Sequence, residues 1–104
     1  MEKEKLVIEI QHFHGCPNSP KIIESVKEAI KEFNGQIIYQ EVLVESNEQA
    51  AKINFRGSPT LLINGNDFEN LPVPENPALT CRYYPKGLPT TEQIKNALVA
   101  LSIK

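Results

Sequence analysis

Two cysteines in 104 residues are the side chains with the widest chemical reach. Cys16 stands in the run His12-Phe13-His14-Gly15-Cys16-Pro17-Asn18-Ser19, where an apolar strand-like stretch gives way to a helical pattern. A helix N-terminus offers free N–H groups and the positive end of the dipole, so a thiol placed there tends towards thiolate. The thiolate is the nucleophilic form. An imidazolium at His14 would push in the same direction. Ser19 can donate a hydrogen bond to sulfur, but its hydroxyl cannot resolve a disulfide. The plain alternative for Cys16 is a small buried hydrophobe; its place ahead of a helix favours a functional thiol.

His12, His14 and Cys16 also alternate along the end of a strand. Imidazole and thiolate suit zinc or copper. Gly15 breaks the alternation, however, and a zinc site needs a fourth ligand, for which Cys81 is the candidate. No metal is assigned on this basis. His12 reads instead as a packed strand residue and His14 as an exposed loop residue.

The elements that would position these groups follow from periodicity. Residues 5–13 read as a buried strand through Leu6, Val7, Ile8 and Ile10. Pro17 suits a first helical turn. Ile22, Ile23, Val26, Ala29, Ile30 and Phe33 recur at three- and four-residue spacing, giving a helix one apolar face. Lys21, Glu24, Lys27, Glu28 and Lys31 mark its other face as solvated, with i,i+4 pairing. Asn34-Gly35 is its expected stop. Residues 36–44 form a second strand. Ser46 caps a short helix from Asn47 to about Phe55, with Gln49 as capping-box partner. Leu61-Leu62-Ile63 is a third strand. Asn64-Gly65 signals a hairpin into a fourth strand near Asp67 or Phe68. Pro72, Pro74, Pro77, Pro85 and Pro89 exclude a long element over residues 70–89. Within them, Cys81-Arg82-Tyr83-Tyr84 is either a short edge strand or a helical turn. Arg82 is an anion partner there, or a solvated side chain paired with an acid such as Glu69. Thr90 or Thr91 caps a last helix that buries Ile94, Ala97, Leu98 and Leu101.

The order is β-α-β-α-β-β-α, an α/β class with two crossovers of the β-α-β type. It implies a four-stranded mixed sheet with helices on both faces. The chain is of single-domain size, residues 1–104. Its composition, 40% hydrophobic and 23% charged, is that of an ordinary globular protein. A net charge of −2 gives no electrostatic case for nucleic acid. No membrane-length apolar run occurs. Met1-Glu2-Lys3-Glu4-Lys5 leads directly into a strand with no secretory-type apolar segment, so the expected location is cytoplasmic. Two distant cysteines are too few for a disulfide scaffold.

That order, with a cysteine before the first helix and Ser58-Pro59-Thr60 before the third strand, resembles the thioredoxin fold. The resemblance implies that Pro59 is cis and packs beside the active cysteine. It implies that the Ser58 backbone contacts a bound thiol partner, with the Ser58 hydroxyl near sulfur. It also brings the loop after the fourth strand near Cys16, so that Cys81 could serve as the resolving thiol. A structural cysteine in a proline-rich loop is the equal alternative, because a bridge needs Cα atoms within about 7 Å. The motifs His12-Phe13-His14-Gly15-Cys16-Pro17-Asn18, residues 57–65 and Cys81-Arg82-Tyr83-Tyr84 are similar to those of small bacterial thioredoxin-like proteins labelled alkylmercury lyase-like. One departure matters: Cys16-Pro17-Asn18-Ser19 replaces the redox motif Cys-x-x-Cys.

Two functions are therefore expected. In the first, Cys16 is the nucleophile of a thiol–disulfide oxidoreductase without a second motif cysteine, acting on a thiol- or disulfide-bearing protein or small molecule. Ser19 and His14 would tune the thiolate, Cys81 would resolve, and no cofactor is needed. In the second, the chain is a non-catalytic module. The groove beside Pro59 would then hold a peptide, a partner or a soft metal ion such as mercury.

Overall fold

The computed structural model describes residues 5–33 and 35–102. Residues 1–4 and Asn34, half of the expected helix stop, lie outside the described residues. The elements are β1 (Leu6–His12), α1 (Ser19–Ile30), β2 (Ile37–Leu43), α2 (Asn47–Lys52), β3 (Thr60–Ile63), β4 (Asn66–Asp67) and α3 (Thr91–Ser102). The sheet order is β2-β1-β3-β4. β1 pairs parallel with β2. β3 pairs antiparallel with both β1 and β4. Only the connection through α1 is thus a parallel β-α-β crossover. The expected second one, through α2, returns a strand of opposite sense.

Alternation along the strands sorts the two faces. Ile8 and Ile10 of β1 lie opposite Ile63 and Leu61 of β3, and all four point to one side. Ile22, Val26 and Ala29 of α1 and Ile94 and Leu98 of α3 close over them as the main core. α1 and α3 are tied directly by the Thr91 hydroxyl, which donates to the Ser25 carbonyl at 3.3 Å, and by Lys95 to Glu32 at 2.8 Å. A second cluster, Val44, Ala50 and Phe55 with Phe13, Val42 and Leu79, packs α2 against the other face. Phe13 and Phe55 meet edge to face at 6.4 Å between ring centroids.

Local signals explain the ends of the elements. Thr90 caps α3: its hydroxyl accepts from the Gln93 N–H at 3.1 Å, and its own N–H donates to the Gln93 side chain at 3.0 Å. Ser46 caps α2 through the Gln49 N–H at 3.0 Å, while the Gln49 side chain reaches back to the Glu45 N–H. α2 stops at Lys52, short of Phe55, because Asn54 turns to φ +56°. The Phe55 N–H then bonds to the Ala50 carbonyl, and its ring drops into the second cluster. Asn64 and Gly65, at φ +53° and +82°, make the tight turn expected of them. The Asn64 side chain also accepts from the Val7 N–H at 2.9 Å, so the turn grips β1. Pro20, rather than Pro17, occupies the first turn of α1, and Asn18 is the N-cap residue.

Between β4 and α3 a strap of residues 68–90 crosses one end of the sheet. It is irregular but anchored. Arg56 donates to the Leu71 carbonyl at 2.8 Å, and the Leu79 N–H donates to the Asn47 side chain at 3.0 Å.

A strapped cysteine pair as candidate active site

Cys16 lies in the turn between β1 and α1, two residues before the helix cap, and its carbonyl accepts from the Ser19 N–H at 3.2 Å. Cys81 lies on the strap. Their Cα atoms are 5.9 Å apart and their sulfurs are joined in a disulfide. Residues 65 positions apart are brought together, which spacing alone left open. Cys16 is only 5% exposed, whereas Cys81 is an exposed residue.

The register of the strap explains how they meet. The Ser58 N–H donates to the Thr80 carbonyl at 2.8 Å, and the Arg82 N–H donates to the Ser58 carbonyl at 2.8 Å. Ser58 and Cys81 thus form an isolated parallel bridge next to the cis Ser58–Pro59 peptide. The strap and the 57–58 backbone lie almost in contact. A Cβ on Gly57 would sit 3.0 Å from the Arg82 Cβ, and Gly57 has φ +100°, so only glycine suits this position.

Arg82 and Tyr84 fix this arrangement from beneath. The Arg82 guanidinium grips the Asp67 carboxylate with two bonds, at 2.7 and 3.0 Å, and their side chains are 5% and 2% exposed. Asp67 also accepts from the Glu69 and Leu71 N–H groups. Burial would raise the Asp67 carboxyl, but Arg82 and these two N–H donors outweigh it and hold it below the usual carboxylate range. Burial likewise opposes the Arg82 charge, but its bond to Asp67 prevails and the guanidinium stays protonated. Glu69, the acid expected from sequence, is a peripheral partner at 4.0 Å. The guanidinium lies 4.7 Å from the centre of the Tyr84 ring. The Tyr84 hydroxyl donates to the Pro59 carbonyl, and burial pushes the phenol up to about 12. Tyr83, between these two buried neighbours, is 82% exposed and covers neither core nor edge.

The remaining expected site residues fall as follows. Ser19 bonds to Ser58, hydroxyl to hydroxyl, at 3.0 Å. The Ser58 hydroxyl also accepts from the Phe13 N–H at 3.1 Å. These hydroxyls therefore tie the Cys16 turn to the Ser58 loop. Ser58 is 1% exposed and Pro59 is fully buried, with the Tyr84 hydroxyl of the strap bonded to the Pro59 carbonyl. His12 ends β1 with Nε2 3.7 Å from Glu41, while His14 is exposed in the turn. Among the described residues no group of three or more His, Cys, Asp or Glu side chains is gathered as a metal site, so His12, His14 and Cys16 do not converge with Cys81.

A cavity of about 600 Å³ opens beside Cys16 along α1, and His12, His14, Ile23 and Lys27 line it. Glu24, Glu28 and Lys31 line it as well, although the sequence marks them only as a solvated face. The expected i,i+4 pairing does not describe them. Lys31 meets Glu28 at i,i+3, and Lys27 reaches across to Glu41 at 4.0 Å. The sequence held no signal for this, because Glu41 belongs to β2.

The family described as Thioredoxin domain matches residues 6–68, from β1 through β4. No curated protein matches the chain.

Proposed function

The chain belongs to the thioredoxin-domain family, and from that premise we propose that it is a two-cysteine thiol–disulfide redox protein whose second cysteine comes from the strap. The observation that carries this reading is the Cys16–Cys81 disulfide, formed across 65 residues at the mouth of a cavity. Thioredoxin-like domains typically act on thiol-bearing substrates. In the reduced protein the Cys16 thiolate attacks one sulfur of a substrate disulfide. A Cys16–substrate mixed disulfide forms and the first substrate thiolate leaves. The Cys81 thiolate then attacks the Cys16 sulfur, the Cys16–Cys81 disulfide closes, and the second substrate thiolate leaves. Two electrons pass from the protein to the substrate, and each departing thiolate takes a proton. An external dithiol returns the protein to the starting state. Cys81 thus stands in for the second cysteine of Cys-x-x-Cys, and Ser19 has a positioning role through Ser58.

The test is a trapping experiment. Reduced Cys81→Ser protein should accumulate a mixed disulfide on Cys16 with a small disulfide, detected by intact mass. The wild type should pass instead to the internal disulfide. A mixed disulfide that forms readily on Cys81 in Cys16→Ser, and not on Cys16 in Cys81→Ser, reverses the roles and overturns the assignment.

The same sulfur pair, once reduced, favours a second reading as a clamp for a soft metal ion. Mercury(II) should then bind one equivalent with two thiolates, and the Cys16→Ser, Cys81→Ser double variant should lose that binding.

A further inference from the structure

The Ser58 backbone, next to Cys81, is already paired with an extended segment of the strap, and both of its hydrogen-bonding groups are taken. Thr80 accepts from its N–H and Arg82 donates to its carbonyl, each at 2.8 Å. The occupant is held there by more than the disulfide. Arg82 is locked to Asp67, and Tyr84 is bonded to the Pro59 carbonyl. None of these anchors involves a sulfur atom.

Among the described residues, a cavity on the α1 side also reaches Cys16. No residue of the strap lines it. A volume of about 600 Å³ lies within the range that holds a small organic ligand. Its wall is apolar at Ile23 and polar at His12, Lys27 and Glu41, with Glu41 3.7 Å from His12 and 4.0 Å from Lys27.

We infer that the strap is a built-in occupant of the polypeptide-docking edge, and that the substrate is a low-molecular-weight disulfide entering through the α1-side cavity. This rests on the redox assignment of Cys16 and specifies its substrate class. The leaving thiolate then departs into the cavity, while Cys81 approaches the Cys16 sulfur from the strap. The exchange is the balanced two-step transfer described above, with the small disulfide as oxidant.

The experiment compares rates of mixed-disulfide formation on Cys16 in reduced Cys81→Ser protein. One probe is 2-hydroxyethyl disulfide; the other is a disulfide-linked dimer of a ten-residue peptide. The small probe should react at least tenfold faster. Filling the cavity with Ile23→Trp should slow the small probe at least tenfold. Glu24→Trp, at an exposed position of α1, gives the same test if Ile23→Trp does not fold. Loosening the strap with Asp67→Asn should speed the peptide selectively. A peptide rate equal to or above that of the small probe, or cavity-filled variants that react at the original rate, would overturn the inference and leave the redox reading standing. Absence of reaction at Cys16 with either probe would remove both.

Discussion

Arg82 and Asp67 show how one buried pair positions a thiol that neither touches. Both side chains are almost fully enclosed, and the carboxylate is satisfied by the guanidinium and two N–H groups. Removing one partner of such a pair strands the other charge and typically costs about 3–5 kcal/mol. Asp67→Asn should lower unfolding stability by that order in urea titration, and Asp67→Asn with Arg82→Met should recover part of the loss. The pH dependence has a definite sign. The folded carboxyl titrates below its unfolded value. Its contribution is therefore complete above the unfolded pKa of about 4 and is lost as pH falls through the lower folded value. Wild-type stability should decline in acid more steeply than that of Asp67→Asn. Tyr84 works at the other end of the scale. Its folded pKa of about 12 lies above the unfolded value, so its contribution is complete below pH about 10 and fades as pH rises towards 12. Tyr84→Phe should abolish that alkaline loss. It should also cost about 1–3 kcal/mol, because the Pro59 carbonyl loses its donor.

Among the elements, the strap is the one whose order does not come from secondary structure. Its prolines exclude helix and sheet, and its fixed path comes from point anchors at residues 71, 79, 80, 82 and 84. Gly57 faces the strap at Arg82, where there is no room for a side chain. Gly57→Ala adds a Cβ 3.0 Å from Arg82 at a backbone conformation that alanine resists. It should destabilise the fold by more than about 1 kcal/mol. It should also slow disulfide closure after oxidation, measured by quenched alkylation. The cap of α3 is a control at a distance: Thr90→Ala should cost about 1 kcal/mol in urea titration and leave closure unchanged. The short β4 has a related role. Its two residues suffice because Asp67, at its end, is the anchor point for Arg82.

For the whole molecule, the disulfide closes most of the chain into a loop. Constraining an unfolded chain over 65 residues contributes about 4 kcal/mol by the loop-entropy argument. Reduction should therefore lower the urea midpoint substantially while leaving the far-ultraviolet spectrum of the native state intact, since the sheet and both clusters do not depend on the bond. Among the described residues no helix is long and apolar enough to cross a membrane.

Local chemistry was enough for the element order, the turn at Asn64-Gly65, the cap at Ser46, a cap at Thr90 or Thr91, and the apolar faces of α1 and α3. Each of these depends on residues within one turn or one strand of each other, where propensity and periodicity act directly. The place of Cys16 ahead of a helix was legible for the same reason. Three features were not. The sense of β3, the pairing of Ser58 with residues 80–82, and the gathering of Lys27 and Glu41 around a cavity all join parts of the chain far apart in sequence. Ser19 makes the point at the scale of one hydroxyl: its neighbours in sequence suggest a bond to sulfur, but its neighbour in space is Ser58. The amino-acid order by itself determined the elements and the presence of a thiol at a helix start. Only the tertiary structure decided which residue that thiol meets and on which side of it a cavity opens, because those depend on packing contacts that no local pattern encodes.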